Sequence, residues 1–369
     1  MKILFVLPSG DTVYGSGRCA VQLARASGLQ FDLLVGKSLI HPIDEENLRR
    51  QFGDKLGSIY QLWLPNVNFY YGENKNIFVI FAAIHKYIMW RIQKRKFRNI
   101  IQSNGYDVIH LNSLILIPMV DKKYRMILHV REVFEGATWK RRYIEKKMSH
   151  AAAVIYINPS TRKALGNAGT REIVIQDPFE MEHIADLDAA EIKRNLGLSQ
   201  DNVVFAILGR YEDRNGTEFI IESFHRAKHK KAVLLVVGAS SDGDRKRAER
   251  IIEGDSRIRM LGEWKDPSPI FAVSDYILRG ERFFSGFSRT VYEGLYSGCK
   301  VIFPGQREEA VDSLQYDEFE DNILFYPPRD GNSLADIINE CAEYPVIQRS
   351  YRSNREEYAG AYIKLLNQI

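Results

Sequence analysis

The chain predicts an α/β protein made of two Rossmann-like domains, each built on a parallel sheet. Three observations lead there. Short apolar runs ending in Gly, Pro, Ser or Asp alternate with helical stretches, as in parallel sheets covered on both faces by helices. The pattern restarts after "QDPFE", near Pro178. The length, 369 residues, exceeds one ordinary domain.

The candidate strands of the first half are "KILFVL", "FDLLV", "DVIHL", "RMILHV", "AAVIYI" and "EIVIQ". Those of the second half are "VVFAIL", "AVLLVV", "IRML", "DYIL", "KVIF" and "NILFY". Ligands of such sheets bind beyond the carboxyl ends of the strands. The cleft between the two domains is therefore the expected site.

Composition narrows the class. The chain is 45% hydrophobic and 27% charged, ordinary for a soluble globular protein. Cys19, Cys299 and Cys341 are too few and too scattered for a disulfide framework or a zinc site. A reducing, cytoplasmic compartment follows. The opening "MKILFVLPSG" has one Lys and an apolar run too short for a signal peptide, and it reads as a first buried strand. No run is long and apolar enough to span a bilayer. The net charge of +4 is mild, so its distribution matters more than its sum.

The loops after the strands carry the chemistry. In "PSGDTVYGSGRCAVQLA", Gly10, Gly15 and Gly17 lie between a strand and a helix. Glycine there lets backbone approach a ligand, and a helix N-terminus favours an anion. The spacing is neither a GxGxxG fingerprint nor a Walker loop, and a tight connection without a ligand is the bland alternative. In "GRYEDRNGTEFIIESF", Arg210 and Arg214 flank a helix start and suit a diphosphate. The bland alternative is a solvated loop of mixed charge. In "FSGFSRTVYEGLYSGCKVIFP", the amides around Ser285, Gly286, Phe287 and Ser288 open a helix that carries a lone acid, Glu293. An acid beside bound phosphates would repel them. One two turns along the helix can accept bonds from a sugar's hydroxyl pair, although the helix dipole alone also favours an acid in this region.

The order and spacing of these segments resemble glycosyltransferase family 4, the large retaining family of glycosyl transferases group 1 with the GT-B fold. "GRYEDRNGTEFIIESF", "SGFSRTVYEGLYSGCKVI" and "NILFYPPRDGNSLADII" stand where that family has its "GR…KG" loop, its "EGFG…E" helix and the strand that follows. "YGSGRCAVQLA", "YDVIHLNS" and "ILHVRE" are similar to its N-terminal segments. The resemblance implies an acceptor domain over 1–178, a nucleotide-sugar-binding domain over 179–345 and a C-terminal segment, 346–369, crossing back to the first domain. Tyr358, Tyr362 and Leu366 would form the buried stripe of its helix. Hinges would fall near Pro178 and near Tyr344-Pro345.

The resemblance also implies roles. Arg210 and Arg214 hold the diphosphate of a UDP- or GDP-sugar, Glu293 the ribose, and Ser285 to Ser288 the donor. His129, at the end of "RMILHV", lies near the donor sugar as a catalytic residue, with Arg131, Glu132, His110 and Asn112 on the same edge. No bound metal and no cofactor beyond the donor is implied. The family's first glutamate and its lysine fall on Ser285 and Asn215.

Between Ile77 and Tyr106 there are six Lys or Arg and no acid, and Ile80, Ile84, Ile88 and Ile92 recur at helical spacing. "WKRRYIEKK" is a second basic patch. Such a helix either lies on an anionic bilayer surface or packs its isoleucines on the sheet. No nucleic-acid motif accompanies the basic residues. The expected function is a bacterial-type transferase. It would move a sugar from a nucleoside diphosphate to a lipid-linked or glycan acceptor, in O-antigen- or capsule-like polysaccharide or lipopolysaccharide synthesis. It would be cytoplasmic or peripheral on the inner face of the plasma membrane. The alternatives are a GT-B epimerase, whose converging acids and histidines are not seen, and a catalytically degenerate homologue acting as a binding partner.

Overall fold

A computed structural model describes residues 1–10, 15–37, 43–65, 77–132, 134, 138–211, 215–281, 288–310, 316–345 and 349–369. The chain divides into two compact units, Met1–Pro178 with Asn354–Ile369, and Phe179–Ser353.

The first unit alternates strand and helix: β1 (Ile3–Leu7), α1 (Gly15–Ser27), β2 (Phe31–Gly36), α2 (Glu45–Phe52), β3 (Leu56–Leu62), α3 (Ile77–Asn104), β4 (Val108–Leu111), β5 (Met126–Val130), α4 (Thr138–Met148), β6 (Ala153–Tyr156), α5 (Pro159–Leu165) and β7 (Arg171–Val174). A 3₁₀ turn, Leu114–Met119, links β4 to β5. The sheet order is β3-β2-β1-β4-β5-β6-β7, and every pairing is parallel. Strand residues alternate between two cores. Leu4, Val6, Leu128 and Val154 pack with Trp90 and Phe97 of α3, while Ile3, Phe5, Ile127 and Ile155 pack on the α1 side. β3 is an edge strand with partly exposed residues in its middle, which is why no apolar run marks it.

The second unit repeats the plan: α6 (Ala189–Asn195), β8 (Val203–Leu208), α7 (Thr217–Arg226), β9 (Ala232–Val237), α8 (Asp242–Ile252), β10 (Ile258–Gly262), α9 (Ser268–Val273), β11 (Tyr276–Leu278), α10 (Arg289–Tyr296), β12 (Lys300–Pro304), α11 (Arg307–Ala310), α12 (Tyr316–Phe319), β13 (Ile323–Tyr326) and α13 (Gly331–Glu343). Its order, β10-β9-β8-β11-β12-β13, is again parallel throughout. In each sheet the order reverses beside the first strand, between β1 and β4 and between β8 and β11. Loops diverge there and leave a crevice at the carboxyl edge.

The last helix, α14 (Arg355–Leu366), belongs to the first unit. Tyr358, Tyr362, Leu365 and Leu366 are buried against the β1 side of the sheet, beside α1. The second crossing between units falls between Ser353 and Asn354, later than the Tyr344-Pro345 turn suggests. Residues 349–353 stay with the second unit through local bonds. Arg349 Nη2 pairs with Asp275 at 2.9 Å, Arg352 N donates to the Tyr296 carbonyl at 2.8 Å, and Glu180 bridges Ser353.

Candidate donor and catalytic sites

In the second unit, the loops after β8 and β11 meet at the switch point. Gly216, the N-cap of α7, has a φ of +65°, and a Cβ there would lie 1.9 Å from the Gly280 carbonyl oxygen. Only a glycine allows the two backbones this approach. Arg210 is exposed on this edge. Asn215, which takes the place of the lysine in the resemblance, turns inward: its Nδ2 donates to the Arg210 carbonyl at 2.7 Å. It shapes the loop that presents Arg210 and brings no charge. Arg214 lies outside the described residues, as do Ser285, Gly286 and Phe287.

Three further residues stand at this edge that the sequence reading missed. Arg279, directly after β11, is 5% exposed and locked to Glu281 through Nε at 2.7 Å and through Nη2. Tyr326 Oη donates to the Arg279 carbonyl at 2.5 Å, tying β13 to the same point. Glu281 Oε2 is buried with no partner among the described residues. The signal was available in "YILRGERF", where a charge follows a buried strand at once.

α10 begins at Ser288, whose side chain caps nothing and whose Oγ is buried without a partner among the described residues. The first-turn amides of this helix thus lack side-chain satisfaction from their own cap. Glu293 is 5% exposed, and Arg289 Nε donates to its Oε1 at 2.9 Å. The Arg289 guanidinium also stacks 4.9 Å from the Phe179 ring centroid, which fixes it. The acid is therefore held beside a cation one turn nearer the helix start.

In the first unit, one hydrogen-bonded network joins all five polar residues named at the carboxyl edge. Arg131 Nε donates to Asn112 Oδ1 at 3.1 Å, its Nη2 reaches His129 Nδ1 at 3.3 Å, and its Nη1 pairs with Asp177. His129 Nδ1 is 3.3 Å from His110 Nε2, and His110 Nδ1 is 2.8 Å from Tyr362 Oη of α14. Glu132 accepts from Ser113 Oγ and from the Leu114 amide at 2.9 Å. Cys19 Sγ donates to Asp177 Oδ2 at 3.0 Å.

An arginine can only donate, so His129 Nδ1 accepts and the His129 proton sits on Nε2. His110 then donates from Nε2 and accepts the Tyr362 hydroxyl at Nδ1. His129 Nε2 is buried without a partner among the described residues. Both imidazoles are fully buried and neutral: burial first, then the Arg131 charge, holds each well below the usual histidine range. Asp177 and Cys19 complete the cluster with Tyr358 and Tyr362, which the sequence offered only as a packing stripe, and their distance along the chain hid the grouping. Gly17 is buried in the first turns of α1, and Gly15 begins that helix. Among the described residues no cluster of three or more His, Cys, Asp or Glu could hold a metal ion.

Residues 202–343, most of the second unit, match the family model described as glycosyl transferases group 1. No curated protein sequence matches the chain. Among solved structures, the Anabaena protein Alr3699/HepE, solved in complex with UDP, is similar at a TM-score of 0.71 and 18% identity, covering 100% of this chain and 98% of that one. Sucrose-phosphate synthase from Thermosynechococcus elongatus is similar at 0.71 and 17%, covering 100% and 97%. A glycosyltransferase from Rickettsia africae ESF-5 is similar at 0.70 and 16%, covering 100% and 93%. The fold is GT-B, and residues 202–343 are similar to glycosyl transferases group 1.

Proposed function

We propose that the protein is a retaining glycosyltransferase of family 4 that takes a sugar from a nucleoside-diphosphate donor, UDP- or GDP-linked, and adds it to a glycan or lipid-linked acceptor. The match of residues 202–343 to the group 1 model carries this reading. The UDP bound by the Anabaena neighbour makes a uridine donor the first to test. Extension of an O-antigen- or capsule-like polysaccharide on the cytoplasmic side is the setting proposed.

The sugar–phosphate bond breaks with negative charge building on the leaving diphosphate. Arg210 and the first-turn amides of α10 offer fixed positive charge to it, with Arg214 and the loop 285–288 completing the donor contacts. Such charge, already in place when the bond breaks, stabilises the transition state more than the ground state. Glu293 accepts from the ribose hydroxyls, and its pair with Arg289 orients it. His129, carrying its proton on an Nε2 that has no partner among the described residues, is the candidate to donate to the sugar, with Arg131, His110 and Asp177 fixing its tautomer. Gly15 and Gly17 allow the α1 start to approach the ligand. Because charge stabilisation comes from these groups, turnover is expected to persist in a chelator such as EDTA.

Asn215 favours a second reading, because its amide serves the loop and adds no charge. A catalytically degenerate homologue would bind a partner enzyme or a glycan without turning over a donor. Incubation with UDP- and GDP-sugars separates the two: sugar-dependent release of UDP or GDP establishes transfer or hydrolysis. Arg210→Ala is expected to keep the fold and lower that release at least about tenfold, the loss of a charged contact worth about 1.5–3 kcal/mol. Nucleotide binding without release supports the second reading, release overturns it, and no nucleotide binding at all overturns the first.

A further inference from the structure

α3 is apolar on two opposite faces. Trp90, Phe97 and Ile101 point into the first unit's core. Phe81, Ile84, Ile88 and Ile92 lie on the other side and are 49–66% exposed. At 100° per residue these four fall within one narrow stripe about 17 Å long. Tyr87 flanks it at 42%. Among the described residues, these five and Trp139 of α4 account for six of the eight exposed large hydrophobics. α4 lies alongside. Burial and then the nearby Tyr87 push the Tyr143 phenol up, while burial and then the charge of Lys94 pull Lys147 down. Lys140 Nζ sits 5.7 Å over the Trp139 ring, leaving that indole apolar on one side and cationic on the other.

The charge around this stripe is predominantly positive, its nearby acids being Glu145 of α4, paired with Arg141, and Asp121, paired with Arg98. α3 carries Lys86, Arg91, Lys94, Arg95, Lys96 and Arg98 and no acid over its 28 residues. α4 adds the exposed Arg142 and Lys146. A second copy of the chain seated on this face would set like charges against like. A nucleic acid would meet the cations and leave the isoleucines in water. An anionic bilayer offers both halves, headgroup phosphates for the cations and acyl boundary for the stripe. The helix cannot cross a bilayer, since its opposite face is core. Among the described residues no helix is long and apolar enough to do so.

We propose that the outward face of α3, with Trp139, docks flat on an anionic phospholipid surface. The inference stands apart from the transferase reading, because docking needs no turnover. The test is flotation of the full chain with two kinds of vesicle: phosphatidylcholine alone, and phosphatidylcholine with a third phosphatidylglycerol. The anionic vesicles are expected to take up the protein at least about tenfold better, with the difference shrinking at high salt. Two triple variants, Ile84→Ser with Ile88→Ser and Ile92→Ser, and Arg91→Glu with Arg95→Glu and Lys96→Glu, are each expected to lower uptake at least about tenfold. All six side chains are solvent-facing or only half-buried, so thermal melting and nucleotide binding should not move. Absence of wild-type uptake on anionic vesicles overturns the proposal whatever the variants do. So does uptake unchanged in either folded variant. A concentration-dependent dimer that the serine variant abolishes, without vesicle uptake, assigns the face to a second copy instead.

Discussion

Glu293 is a buried carboxylate with a cation already against it, so two roles compete at one side chain. If it grips the ribose, the contact exists in both ground and transition states, and Glu293→Gln raises the donor KM more than it lowers kcat. The variant would lose less affinity for 2′-deoxy and 3′-deoxy nucleotides, which lack part of the diol. If its work is to pair with Arg289, removing the charge weakens a partly buried ion pair whose guanidinium keeps its contact with Phe179, costs about 1–3 kcal/mol of stability and leaves nucleotide titrations unchanged. Calorimetry and urea melts on one pair of proteins distinguish the outcomes, and the first is expected. His110 and His129 give a pH prediction. Their folded pKa values lie well below the unfolded value near 6.5. Below that pH the unfolded chain binds protons that the folded chain does not, so stability rises with pH there and is lost on acidification. Two such groups give a slope of up to about 2.7 kcal/mol per pH unit below 6.5. Unfolding midpoints at pH 7.5, 6 and 5 check this, and a His110→Gln, His129→Gln double variant should flatten the slope. A wild-type midpoint that does not fall between pH 6 and 5 contradicts neutral burial.

At the scale of elements, every apolar run read from the sequence is a strand, because a strand buried on both faces must be apolar along its whole length. β3 escaped because the sheet edge lets "LGSIYQL" keep polar and half-exposed positions. The glycine and arginine loops were legible because they follow strand ends. What the loops do with their side chains was not. That Asn215 bonds the Arg210 carbonyl, or that Arg279 folds onto Glu281, depends on backbone paths that residue types do not encode. The closeness of the β8 and β11 loops makes an element-scale prediction. Gly216→Ala adds a Cβ that would lie 1.9 Å from the Gly280 carbonyl oxygen, at a φ that side chains disfavour. One loop must move, at a cost of about 3 kcal/mol or more. Urea denaturation should show that loss, together with weakened nucleotide binding. A variant as stable as wild type would mean that the loops yield freely.

The two units differ in how the chain builds them. The second is continuous from Phe179 to Ser353 and has its own cores on both sheet faces. The first is assembled from both ends of the chain, because α14 supplies Tyr358, Tyr362, Leu365 and Leu366 to the core that also holds Ile3 and Phe5. The Tyr362 hydroxyl caps the histidine pair, and Asn354 Nδ2 holds the Asp177 carbonyl at 3.1 Å. Exposing four large side chains forfeits about 1.5–3 kcal/mol each, a sum comparable to the whole stability of a typical domain. A fragment of residues 1–178 is therefore expected to lack a cooperative unfolding transition. Joining residues 354–369 to it through a flexible linker should restore one. Residues 179–353 alone should fold, and should bind UDP or GDP wherever the full chain does, since Arg210, α10 and Glu293 all lie within them. Circular dichroism melts and nucleotide titrations of the three fragments test this. A 1–178 fragment melting at the full-chain midpoint would show α14 to be dispensable. A folded 179–353 fragment blind to a nucleotide that the full chain binds would move the donor contacts out of the second unit.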